Sequence, residues 1–253
     1  MAEVKRVLSF PNLPGVLFLV TILSGCSLID LPFYEQEQEV FDLSMLSEAQ
    51  QKHYELSLHY IDAGHYDIAE TKLLSIIEEY PRFADAHNAL GVIYERRGRV
   101  TEGRESFYQA IKLHPDYAIA VENYSQLTCY TNGPLAMAER GDNEKGERLK
   151  SRLYSAAAKC YISKNNFSDG EIMASRAIEF DSTYALSYLY LAKIQDQKKQ
   201  FELAKQSIDQ FNDLNGYTKE SAKLGYAINR ALNHPKEIQK YQYILATQFN
   251  EEI

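Results

Sequence analysis

The chain has 253 residues, 45% apolar and 25% charged, the proportions of a folded protein and not of a disordered one. Its formal charge is −8. That sign does not favour nucleic acid, whose phosphates need a basic stripe, and disfavours a peripheral grip on anionic lipid. A membrane location would need a covalent tie.

Residues 1–25 read as a signal peptide. Lys5 and Arg6 precede an apolar core from Val16 to Leu23. That core is too short to cross a hydrocarbon layer of ~30 Å as a helix. It ends in Leu23-Ser24-Gly25-Cys26, which resembles a bacterial lipobox. The resemblance implies cleavage before Cys26 and acylation of that cysteine. Ser27 follows where an Asp would hold the protein back, which implies outer-membrane export with the folded part in the periplasm. Each buried methylene adds about 0.8 kcal/mol, so several acyl chains anchor durably. Residues 26–45 carry Pro32 and Glu35-Gln36-Glu37-Gln38-Glu39, and read as a lipidated, flexible tether.

From residue 46 to 253 the sequence repeats. Gly64-His65-Tyr66-Asp67-Ile68-Ala69 and Tyr80-Pro81 return 34 residues later as Gly98-Arg99-Val100-Thr101-Glu102-Gly103 and His114-Pro115. Leu56, Tyr60 and Leu73 align with Leu90, Tyr94 and Phe107. This pattern resembles the tetratricopeptide repeat, which implies an all-α, right-handed superhelix (an α-solenoid) of about six helical hairpins. Ala69 and Gly103 would let the two helices of a hairpin approach closely, and Pro81 and Pro115 would stop helices. Two units are strong, 50–83 and 84–117. The rest are degenerate: 118–150, 151–184, 185–217, then capping helices over 218–253. Asn132-Gly133-Pro134 and Gly141-Asp142-Asn143 interrupt the third.

Cys129 and Cys160 fall in the first helices of units three and four, which should pack side by side. An oxidising periplasm permits a disulfide between them. Two buried thiols just out of reach are the alternative; metal binding is disfavoured because no His lies at ligand spacing.

No His-Glu-x-x-His, phosphate loop or Gly-x-Ser-x-Gly elbow occurs, so the chain reads as no enzyme, with no metal site, no small-molecule substrate and no cofactor beyond the lipid on Cys26. The helical phase instead points Tyr54, Leu58 and Ile61 of unit one, and Asn88, Val92, Glu95 and Arg96 of unit two, to the inner face. An apolar stripe beside polar and charged groups suits a peptide or helix laid in a groove.

A lipobox, a tether, two strong repeats and degenerate ones to about residue 250 together resemble the PilF/PilW-type pilotins of type IV pilus systems. Asn123-Tyr124 ahead of Cys129 resembles their third repeat, although Ser125 replaces a Gly and Thr128 precedes the cysteine. Cys160 matches a second cysteine of that family. The resemblance implies an adaptor that binds secretin subunits in the periplasm and carries them to the outer membrane for assembly. Another repeat-containing lipoprotein scaffold, serving barrel assembly or recruiting peptidoglycan enzymes, is the alternative.

Overall fold

The structure is a computed structural model that describes residues 40–251. The signal sequence, Cys26 and residues 27–39 lie outside that range. Among the described residues there are twelve α-helices and no strand. They pair as α1 (Glu48–Asp62) with α2 (Tyr66–Glu79), α3 (Ala84–Arg96) with α4 (Val100–Leu113), and α5 (Ala118–Thr131) with α6 (Pro134–Asp142). Then follow α7 (Glu147–Ser163) with α8 (Phe167–Phe180), α9 (Ala185–Gln197) with α10 (Phe201–Asn215), and α11 (Lys219–Ala231) with α12 (Pro235–Phe249). The all-α array of helical hairpins is thus present, with the sixth hairpin complete.

The hairpin turns explain much of the periodicity. Gly64, Gly98, Asn165, Lys199 and Asn233 all sit in the left-handed region, with φ between 55° and 76°. In each case the next residue donates its N–H to the carbonyl five residues back, at 2.8–3.0 Å. This closes the first helix as a Schellman turn and aims the chain into the second. Gly64 and Gly98 adopt this backbone without a Cβ clash; Lys199 does not have that freedom.

The third hairpin departs from the others. Here Gly133 is itself the donor, to the carbonyl of Thr128, and Pro134 starts α6 at once. The turn is one residue shorter. Gly98 and Asn165 therefore stand one residue short of two full periods, whereas Asn165, Lys199 and Asn233 keep the spacing of 34. α6 has only 9 residues and packs more on α7 than on α5. Its Ala138 sits against Tyr154 and Ala177, while α7 reaches 17 residues and starts ahead of the 34-residue frame.

Within each unit a small residue sets the helix spacing. Ala69, Ala174, Ala177 and Ala204 are fully buried. A Cβ on Gly91 would run into the Phe107 ring, and one on Gly225 into the Tyr241 ring. The same small-against-aromatic pairing thus recurs in the second and sixth hairpins. Between units, Leu90 packs with Ala69, Leu73 and Ile76 of the preceding hairpin. Leu56 holds the equivalent place in α1 but is 38% exposed against 4% for Leu90, because no hairpin precedes it among the described residues.

The folded body starts earlier than residue 46. Phe41 lies 5.6 Å from Tyr80 and 6.1 Å from Phe83, ring centre to ring centre. Asp42 caps a 3₁₀ turn at Leu43–Met45, and Leu46 is buried in the first core. The stretch read as the end of a tether is therefore docked from at least Phe41 onward, where it shields part of the first hairpin.

First helices touch one another across units, most closely α5 with α7 and α7 with α9, while second helices of neighbouring units make no comparable contact among the described residues. That asymmetry puts the first helices on the inner side of the curve.

Candidate protein-binding site

Seven residues of α1 and α3 were expected on the inner face. Tyr54 packs edge-on against Phe83 at 5.0 Å, and burial together with the Asp85 carboxylate raises its hydroxyl pKa. Ile61 is packed on the first core and Val92 on the next. Asn88 is 8% exposed and accepts a hydrogen bond from Asn123 Nδ2 at 3.0 Å. Tyr117 adds a further bond to Asp85 at 3.0 Å. Leu58, Glu95 and Arg96 are exposed. Of the seven, Asn88 is buried, Tyr54, Ile61 and Val92 are half-buried, and three are exposed. Tyr54 turns inward because Phe83, at the entry to α3, offers it an aromatic partner.

A cleft lies one unit further along. It measures about 370 Å³ and is lined by α5 and α7. Its floor is the Cys129–Cys160 disulfide, whose Cα atoms stand 5.6 Å apart. Gln126 and Tyr130 of α5 flank it on one side, Lys159 and Ser163 of α7 on the other, and Lys164 stands at the end. Tyr130 is 91% exposed, and Ile119 on the same helix 60%. Lys159 pairs with Glu122, whereas Lys164 makes no ion pair among the described residues. A narrower recess continues the cleft past Ser125 and Ser155 toward Tyr184 and Tyr190 of α9.

Arg152 fixes the α7 side of that recess. It is 3% exposed, with its Nη1 2.6 Å from Asp181 and its Nε 3.1 Å from Asp116. Its guanidinium lies 3.8 Å from the centre of the Tyr184 ring. Burial alone would raise the Asp181 pKa, but hydrogen bonds from Thr183 and Arg152 outweigh it and hold the carboxyl below its ordinary range. Burial pushes the Tyr184 hydroxyl up to about 12. The cluster clamps the α4–α5 and α8–α9 loops to one helix and is structural.

The cleft residues were within reach of the sequence. Gln126, Cys129 and Tyr130 lie 34 residues after Val92, Glu95 and Arg96, so the inner-face positions carried one unit further name them. Which unit stays open could not be read that way.

Six stacked hairpins whose first helices line one inner face make a tetratricopeptide-type array, a class of protein-interaction module. A tetratricopeptide repeat family model matches residues 54–118. The solved structure of Pseudomonas aeruginosa PilF is similar with a TM-score of 0.53 at 18% identity, over 81% of this chain and 94% of that one. PilW, described as a widely conserved type IV pilus biogenesis factor, gives a TM-score of 0.51 at 18% identity, over 82% of this chain and 96% of that one. At such identity the likeness establishes the fold. No curated protein matches the sequence.

Proposed function

We propose that this protein is a lipid-anchored adaptor of type IV pilus biogenesis. Its array holds a secretin subunit in the periplasm, and acyl chains on Cys26 carry that subunit to the outer membrane. The observation that carries this reading is the end-to-end correspondence of the array with PilW, 96% of whose length is matched. The lipobox at Leu23–Cys26 supports the anchor. In physical terms the protein raises effective concentration: one end is confined to the membrane, the other grips a client.

Replacing Cys26 by Ala, under a signal peptide that still exports the chain, tests the mechanism. The variant should fold and still bind its client, yet leave secretin subunits out of the outer-membrane fraction and the cells without pili. Normal piliation in that strain would rule the mechanism out.

A further inference from the structure

We propose that the cleft between α5 and α7 seats a short acidic, apolar segment of the client; this rests on the adaptor reading above. The cleft presents three features to a ligand. First, its floor is apolar sulfur, and its rim carries Tyr130, an aromatic ring left 91% exposed. Large rings standing in water at a cleft edge are the groups that become anchors when a partner covers them. Second, the charge at the rim opposes that of the whole protein. Lys159 shares its charge with Glu122, but Lys164 makes no ion pair among the described residues, on a chain of net charge −8. A carboxylate on the ligand would meet Lys164, while the acidic remainder of the protein repels ligands that present carboxylates elsewhere. Third, a narrow recess that shares Glu122, Ser125 and Lys159 with the cleft holds Ser155, a buried hydroxyl with no hydrogen-bond partner. A polar group left unsatisfied in a recess is a place for a ligand donor or acceptor, or for a water that a ligand displaces.

The occupant thus places a Phe, Leu or similar side chain over the disulfide and against Tyr130. Its Asp or Glu side chain, or its terminal carboxylate, reaches Lys164. A basic segment would face Lys164, with Lys159 already paired to Glu122, and is disfavoured.

The test uses the full chain in detergent and fluorescein-labelled synthetic peptides of three compositions: Asp with Phe and Leu, Lys with Phe and Leu, and Asp with Ser. Anisotropy should show binding of the first set alone, weakening as salt is raised. Y130A and K164E should each weaken it at least about tenfold, whereas K236E on α12 should not. Both altered side chains are exposed, so thermal melts should match the unaltered protein. Preference for the lysine peptides, or binding indifferent to both Y130A and K164E, would overturn the site. Capture of secretin subunits from envelope extracts separates the two readings. Undiminished capture by the Y130A/K164E double variant removes the cleft and leaves the adaptor; no capture by the unaltered protein removes both.

Discussion

Two single residues show how far the repeat constrains side-chain choice. Lys199 holds the left-handed turn position that Gly64 and Gly98 fill in the strong repeats, at φ 59°. An L residue there costs on the order of 1 kcal/mol, and an exposed lysine gains nothing from it. Lys199→Gly is therefore expected to stabilise the protein by about 0.5–1 kcal/mol, net of the greater freedom of glycine in the unfolded chain. Urea titration reads this directly; a lower midpoint would contradict it. His87 illustrates burial. Its Nε2 is 3.0 Å from the Pro81 carbonyl, and burial, outweighing that bond, lowers its pKa. The unfolded chain then binds a proton more readily than the folded one, so stability is full above the ordinary histidine value of about 6.5 and falls as pH drops below it. His87→Gln, which can still donate to Pro81 and does not titrate, should flatten the thermal midpoint between pH 7 and pH 5. An unchanged slope would mean that another group is responsible. The aligned His53 is exposed, since no preceding hairpin covers α1 among the described residues.

At the scale of elements, α5 is the first helix least supported by its own hairpin partner. Its hairpin partner is short and leans on α7, so what holds α5 comes from α4, from α7 and from the Cys129–Cys160 bond. The bond closes a loop of 31 residues, worth roughly 3–4 kcal/mol on chain entropy. Cys129→Ser with Cys160→Ser should lose about that much in chemical denaturation, and amide exchange should rise first in α5 and α6. Loss spread evenly over all twelve helices would argue against a local weak point. The same helices mark the limit of what the sequence reveals. Gly64, Gly98, Pro81 and Pro115 announce two hairpins because each meets a fixed backbone demand. Gly133-Pro134 meets the same demand with a turn one residue shorter, so a fixed period steps over it. Leu56 reads as core by alignment with Leu90, yet core status depends on a neighbour that the first unit lacks among the described residues. The inward turn of Tyr54 depends on Phe83, a contact made in space between units.

For the whole molecule, stacking does what no single hairpin can. The apolar face of each unit is covered by the next, and cores run on from the segment at Phe41 and Leu46 to the α11–α12 pair. The ends differ: the first presents Leu43, Met45 and Leu56, whereas α12 shows mostly polar side chains apart from Tyr243. The inner layer of first helices carries the open cleft, and Tyr243, on a second helix, lies outside that layer. A photo-crosslinking residue placed at 130 or at 243 of the full chain in living cells separates these surfaces most directly. The account predicts a light-dependent adduct with a secretin subunit from position 130 and none from position 243. Adducts from 243 alone, or equal yields from both, would contradict a client held on the inner face.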